Sequence, residues 1–370
     1  MSRMERFAAE IHDDPATIEA DWRALEADGH LTAFQRFDWC RPWYGAVGAH
    51  GRARPLIVLV RAADGRAVMI LPLCRYRRGL MRVIGFADLR VADYVAPVVS
   101  GDRRYEAADH DAMLAAALAA LPACDLLRLS KMPARVGGIE NPLMRLAGVA
   151  RFPVSAWSVP LGGAGEVDLR LKSGGQARRK WAKAERTLAP RLRVAGVDLT
   201  VEAAFEALVA QRRVRFGALG RDDVLADPLW LEFYRRAAVG NDGRPAVELT
   251  QLELGGEVVA NALGIDFAGA YHIIIPTFRI DGDWPKASPG LCLIAALMRR
   301  SMARGDRLFD LTIGDEPYKR EFDAEEQPLH ETTLPRSPVG RLAAAIWRFK
   351  VALRAYPRLH AALKRLAGRG

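Results

Sequence analysis

Apolar residues in the first half fall into short runs of strand length, interrupted by a few longer helical stretches. Pro55–Arg61 and Ala67–Cys74 are continuous apolar runs, and Ala62–Arg66 between them carries Asp64-Gly65. That pair suits the positive φ of a tight turn, so the two runs predict a hairpin. Arg82–Phe86, Tyr94–Ser100, Asp125–Ser130 and Val154–Leu161 are further strand candidates. Phe37–Val47, rich in aromatics, and Arg104–Leu121 have the length of helices, and Ile139–Gly148 reads as a short one. Leu161–Gly165 (LGGAG) is a seam.

Beyond the seam, Ser173 is placed to cap a basic helix running to about Leu188 and closed by Pro190; Val201–Gly217 and Pro228–Val239 follow as helices. Ala246–Leu254, Val258–Asp266 and Tyr271–Arg279, joined by Gly255-Gly256 and Ala268-Gly269, predict a three-stranded antiparallel meander. A helix at Leu291–Arg304 and a strand at Leu308–Ile313 complete the pattern. Both halves mix hairpins, helices and strands without regular βαβ alternation, which predicts an α+β fold. At 370 residues two units are expected, 1–162 and 163–335, followed by a tail, 336–370.

Charge sharpens the view of the tail. The net charge is +10, yet 336–370 holds nine Arg or Lys and no Asp or Glu, leaving 45 basic and 44 acidic residues in the rest. The body is therefore no nucleic-acid surface by bulk charge. Leu342, Ile346, Phe349, Leu353 and Tyr356 follow 4-3-4-3 spacing, so the tail predicts a basic amphipathic helix. Such a helix either lies peripherally on an anionic membrane or docks its stripe on the body. The four scattered cysteines form no CxxC and the seven histidines no metal spacing, so no metal is expected. The amino-terminal MSRMERFAAEIHDD lacks the apolar segment of a signal peptide. A cytoplasmic protein is expected, in contact with the inner face of the membrane if the tail binds there.

Candidate chemistry concentrates near Leu308–Phe322 (LFDLTIGDEPYKREF), where Asp310, Asp315, Glu316, Tyr318 and Lys319 follow an apolar strand. Period 2 would place Asp310, Thr312 and Gly314 on one face, and Leu311 and Ile313 on the other. Ser288, Pro289 and Gly290 open a helix just upstream, with Ser288 as its cap and a glycine that permits close approach; such a terminus suits a phosphate. His272, in YHIIIP, is either a base facing a cleft or a core histidine.

Residues from about 165 to 322 resemble the BioF2-like or CelD-like branch of the GNAT acyltransferase superfamily, itself related to the Fem transferases. SGGQARRKWAKAERTL, QRRVRFGALG, LELGGEVVANALGI, the ASPG with its helix, and FDLTIGDEPYKREF carry the resemblance; GDxxYK lies 24 residues after SPG. FQRFDW, the ILPL strand and IGF…DYVAP resemble the usual first half of these proteins. The resemblance implies tandem GNAT-like domains with a cleft between them, and acyl transfer from acetyl-CoA or another acyl-CoA to an amine of a sugar, an amino acid or a lipid-linked intermediate. SPG replaces the glycine-rich pyrophosphate loop of ordinary acetyltransferases, so a Fem-like aminoacyl-tRNA donor stays open, as does a non-catalytic scaffold of a polysaccharide-synthesis complex.

Amide formation needs a base for the amine proton, and Asp315 and Glu316 are candidates, with Asp310 on the strand beside them. Tyr318 would protonate the thiolate, and Lys319 would meet a phosphate or the acyl carbonyl. Against this, Asp315-Glu316-Pro317 would serve equally as a plain turn and Lys319 as a solvated lysine. Arg179, on one face with Lys183 and Arg186, would bind donor phosphate; Arg213 and Phe216 would touch the acceptor, and Asp93 and Tyr94 would line the same cleft.

Overall fold

The computed structural model describes residues 6–162, 175–240 and 243–354, with residues 347–354 as backbone only. Ser173 and the tail beyond residue 354 lie outside the described residues. The first half is built from β1 (Phe7–His12), α1 (Glu19–Asp28), α2 (Phe37–Ala49), β2 (Arg54–Ala62), β3 (Ala67–Arg78), β4 (Met81–Phe86), α3 (Ala107–Ala120), β5 (Leu126–Pro133) and β6 (Ala156–Pro160). The second half contains α4 (Gln176–Thr187), β7 (Arg191–Val194), α5 (Val201–Leu219), α6 (Pro228–Val239), β8 (Glu248–Leu254), β9 (Glu257–Phe267), β10 (Ala270–Phe278), α7 (Pro289–Arg304), β11 (Leu308–Ile313), β12 (Leu329–Pro335) and α8 (Pro338–Arg354).

Two mixed, mostly antiparallel sheets result, each flanked by helices. The first has the order β1-β2-β3-β4-β5-β12, with Ala150–Arg151 at its edge; the second runs β7-β8-β9-β10-β11-β6, with Glu325–Gln327 at its edge. Each contains a meander (β2-β3-β4 or β8-β9-β10), a helix (α3 or α7) and then a strand parallel to the last of the meander. The predicted hairpin forms, with Gly65 at φ +82 in its turn.

The halves then exchange strands. β6 follows the first sheet in sequence but pairs with β11, while β12 follows the second and pairs with β5. The seam expected at 162/163 thus falls just after a strand of the second sheet, and the one at 335/336 just after a strand of the first.

Some sequence expectations fail locally. Of Tyr94–Ser100, only Val98–Val99 pairs, against Met69 and Ile70, because the segment before it runs as a loop between the halves. Ile139–Gly148 forms no α-helix: Ile139–Glu140 pairs with Arg135–Val136 as a two-stranded ribbon, and Asn141 then caps a short 3-10 turn at Pro142–Arg145. One aromatic-rich core spans both halves: Phe34, Trp39 and Trp43 pack in the same cluster as Phe205, Phe233 and Tyr234. Burying side chains of this size stabilises by about 1.5–3 kcal/mol each, which ties the halves together.

Candidate functional site between the two sheets

The parallel strands β10 and β11 pair only from Ala270↔Leu308 to His272↔Asp310. Beyond that point they part, leaving a fork between Ile273–Phe278 and Leu311–Ile313. At its apex Asp310 is buried, and three groups converge on its carboxylate. The Tyr94 hydroxyl donates to Oδ1 at 2.8 Å, the Thr312 N–H to Oδ1 at 2.7 Å, and His272 Nδ1 lies 2.9 Å from Oδ2. A carboxylate only accepts, so Nδ1 carries a proton, and the tautomer this selects has Nε2 as its acceptor. Phe34 and Tyr94 pack edge-on against the imidazole. Tyr94 comes from the first half; burial, and then the Asp310 charge, push its phenol well above the ordinary range.

Thr312 has φ 57, in the left-handed region. That twist overturns the period-2 expectation: Leu311 packs in the core beneath α7, while Ile313 turns to the opposite core. It also lets Thr312 Oγ1 donate to the Ile273 carbonyl across the fork at 3.2 Å.

Lys319 is buried rather than solvated. Its Nζ donates to Thr312 O and Gly314 O, both at 2.9 Å, and lies 3.2 Å from Glu316 Oε2. An ammonium has three donors and all are engaged, so Lys319 braces the turn and has none left for a phosphate or an acyl carbonyl. Burial, opposed by Glu316, lowers its pKa. Asp315 and Glu316 stand exposed on the turn; Asp315 accepts from Trp157 Nε1 at 3.2 Å.

Ser288, Pro289, Gly290 and Tyr318 line one apolar cleft of about 340 Å³ together with Arg215 and Phe278. Ser288, at φ 56, makes no capping bond through its side chain. A Cβ on Gly290 would meet the Phe278 ring at 2.7 Å, so the close approach this glycine permits is by an aromatic ring. Arg215 stacks over the same ring at 3.8 Å, and burial, reinforced by Arg212, lowers its pKa. Burial and the nearby Glu316 raise that of Tyr318.

Across the short helix Trp284–Ala287 lies a second cavity of about 530 Å³, lined by Lys180, Lys183, Trp284 and Lys286. Arg179 is exposed and lines neither cavity; the face of α4 that does is one residue further on. Arg213 is likewise exposed, while Arg215 faces the cleft and Phe216 carries the Arg212 guanidinium at 4.1 Å.

The first sheet has a fork of its own. β4 and β5 pair in parallel only at Val83↔Leu126 and Ile84↔Leu127. A cavity of about 430 Å³ opens there, walled by Tyr76, Phe86, Asp88, Arg90, Arg128 and Lys131. Leu89, Arg90 and Lys131, all on this cavity, have left-handed φ of 42, 89 and 62. Clustered backbone strain of this kind is characteristic of functional sites. Lys131 Nζ reaches Ala92 O at 2.6 Å and Asp88 Oδ1 at 3.0 Å. Asp93 lies between the two forks; burial, with Lys131 opposing and Asp310 adding, raises its carboxyl to about 7.

Of the residues named from the sequence, the structure brings His272, Asp310, Asp93 and Tyr94 to one junction and Ser288–Gly290 with Tyr318 into one cleft, and leaves Asp315, Glu316, Arg179 and Arg213 outside both. The sequence reading missed Thr312, Lys131 and Arg215. A threonine or lysine forced left-handed has no signature in a single sequence. Among the described residues, no group of three or more His, Cys, Asp or Glu is arranged to hold a metal, and no helix is long and apolar enough to cross a membrane.

The model of the acetyltransferase (GNAT) domain family matches residues 172–320, which include the second fork and its cleft. Among solved structures, FemX aligns with 90% of this chain and 99% of its own at a TM-score of 0.62 and 10% identity. L-PGS from Bacillus licheniformis aligns with 90% of this chain and 96% of its own (TM-score 0.50, 14% identity). The C-terminal domain of an Agrobacterium fabrum chain named as a lysylphosphatidylglycerol synthetase covers 90% of this chain and 95% of its own (TM-score 0.52, 11% identity). No curated protein sequence matches the chain. At these identities the likeness is one of fold, and the fold is the GNAT-type acyltransferase fold.

Proposed function

We propose that the protein transfers an acyl group from an acyl-CoA thioester to a primary amine, as the BioF2-like, CelD-like motifs suggest, with residues 1–162 and 163–335 as its two units. The observation that carries this reading is the His272–Asp310 pair at the apex of the second fork, oriented by a tyrosine from the other half.

In this reading the acyl chain and its thioester occupy the apolar cleft beside Phe278 and Tyr318. The cleft fits that part of the donor because its walls are largely apolar and one side is a phenol. The nucleotide end suits the cavity of Lys180, Lys183 and Trp284, which offers cations for phosphates and an indole face for a base, beside Glu257 and the Lys286–Asp283 ion pair. The acceptor enters through the first fork, whose Arg90 and Arg128 favour an amine that also carries an anionic group.

The neutral amine attacks the thioester carbonyl and the C–S bond breaks. His272 Nε2 takes the proton lost by nitrogen, directly or through water, and Tyr318 protonates the departing thiolate. Asp310 fixes the imidazole tautomer and stabilises the imidazolium. Asp315 and Glu316 have no part in this scheme, and Lys319 acts only by bracing Thr312 and Gly314.

A Fem-like aminoacyl-tRNA donor is the second reading, favoured by the same lysine-lined cavity, which would equally hold the phosphates of an acceptor end. Thermal-shift measurements with acetyl-CoA, longer acyl-CoAs and free CoA test the first reading; stabilisation of several degrees is expected. Absence of any shift at saturation, with strongly salt-dependent tRNA binding, would replace it by the second.

A further inference from the structure

The hairpin end of the first sheet is a concentration of unneutralised charge. Arg54, Arg75, Arg77 and Arg78 are exposed there and form no ion pair among the described residues. Two like-charge pairs stand directly opposite one another across strands, Arg54↔Arg75 and Arg77↔Arg82. Such pairs repel, so the fold gains nothing from them by itself. Arg54, Arg75 and Arg77, with Arg52 and Arg82, line a cavity of about 550 Å³ that has no carboxylate in its wall; Arg52 and Arg82 pair with Asp227 and Asp125, which lie outside that wall. Tyr76 belongs both to this cavity and to that of the first fork, so the two adjoin.

The helix α8 sits beside this hairpin in an unusual orientation. Ser337 Oγ donates to Asp125 Oδ1 at 2.7 Å, and a Cβ on Gly340 would lie 1.8 Å from the Asp125 carbonyl oxygen. Ala344 is buried against Val83 and Leu126, with Ala343 and Met81 alongside. The small residues of the helix thus face the body. Its larger apolar residues Val339, Leu342 and Ile346 point outward, at 57%, 65% and 48% exposure, and Leu80 at the hairpin tip is 92% exposed. Of the two outcomes the sequence left open, docking of the stripe on the body is not seen at Leu342 and Ile346, the members of the stripe whose side chains are described.

We propose that this end of the molecule docks on an anionic membrane surface, with Leu80 and the outer face of α8 entering the headgroup region and the arginine cavity taking lipid phosphates. Charge selects this occupant over a second copy of the chain: 336–370 carries nine basic residues and no acid, so two copies would oppose like charges. An aqueous polyanion would satisfy the arginines but leave the four apolar side chains in water. Apolar insertion combined with basic residues is the pattern of interfacial helices.

The test is co-sedimentation of the full chain with vesicles of phosphatidylcholine alone, or with one third of the lipid replaced by phosphatidylglycerol. Binding to the anionic vesicles alone is expected, weakened at high salt. The triple variant R75Q/R77Q/R78Q should lower partition more than tenfold, at roughly fivefold per basic side chain. The triple variant L80S/L342S/I346S should lower it comparably with charge unchanged; circular dichroism and thermal melting show whether each variant is folded. Equal binding to both vesicle types, or to neither, overturns the proposal. So does anionic-vesicle binding that the apolar triple leaves intact and tRNA or inositol hexakisphosphate competes away, the behaviour of a site for soluble polyanions. None of these readouts depends on acyl transfer.

Discussion

The two sheets part at equivalent points of one plan, yet the forks they create are opposite in character. In each, a strand parallel to the last of a meander separates after two or three pairs and then carries a left-handed non-glycine residue, Lys131 in the first and Thr312 in the second. The second fork is closed by the protein's own polar atoms: Asp310 receives three donors, Thr312 bridges to Ile273, and Lys319 is fully engaged. The first holds a cavity edged by Arg90 and Arg128. A left-handed non-glycine costs on the order of 1–3 kcal/mol, so both positions must be held by their surroundings. The same backbone device thus accompanies a braced His272–Asp310 pair in one half and an open cavity in the other.

The largest expected effect falls on the closed fork. His272→Gln should lower kcat by about 10²–10⁴-fold without loss of secondary structure, the range for removing a general base. Asp310→Ala would strand the Tyr94 hydroxyl, the His272 N–H and the Thr312 N–H together, and should cost about 3–5 kcal/mol in urea unfolding. If Asp310→Ala unfolds like the parent, the second fork is not the braced element described here. Lys319→Met comes next, at roughly 2–4 kcal/mol, because two buried carbonyls lose their donor.

Much of the second fork was legible in the sequence. The meander, the SPG-opened helix and the polar residue on an apolar strand are local signals, and they led to Asp310, His272 and Tyr318. The α+β character was legible from the order of elements, and the tandem arrangement followed from the family resemblance. The strand exchange was not legible: β12 reads HETT along its middle, and nothing local says that it crosses to the other sheet. Lys319 reads as a surface lysine because its partners are backbone carbonyls, which leave no trace in side-chain patterns. Lys183 reads on the right face, but Arg179 and Arg213 stand in place of Lys180 and Arg215 because one or two positions along a helix turn the face by 100–200°.

Gly290→Ala probes the cleft beside the closed fork. Its Cβ would sit 2.7 Å from Phe278, so the ring and the stacked Arg215 must move. A loss of about 1–3 kcal/mol is expected, with weaker acyl-CoA binding by calorimetry. Unchanged affinity would dissociate the cleft from the donor.

Asp93 tests whether the two forks communicate. Its carboxyl, raised to about 7 from an ordinary value near 3.8, keeps its proton in the folded protein where the unfolded chain has lost it. The folded state then binds more protons between about pH 4 and 7, so stability from this group falls as pH rises through that window. Asp93→Asn, which cannot ionise, should gain on the parent as pH is raised from 4 to 8. Parallel pH profiles for the two would show that burial between the forks does not raise the Asp93 carboxyl.

The smallest effect separates the open fork from the closed one by sign. Arg90 is exposed at φ 89, a conformation glycine adopts without strain. Arg90→Gly removes that strain but also widens the unfolded ensemble, and the balance should be a gain of about 0.5–1 kcal/mol in chemical denaturation. Thr312→Gly relieves the same kind of strain, yet it also deletes the hydroxyl bond to Ile273 from a buried fork and should destabilise. In the function proposed above Arg90 serves acceptor binding, so Arg90→Gly should raise KM for an anionic amine severalfold with kcat nearly unchanged. A variant that is stabilised but keeps its KM would leave the first fork an open cavity with no part in transfer.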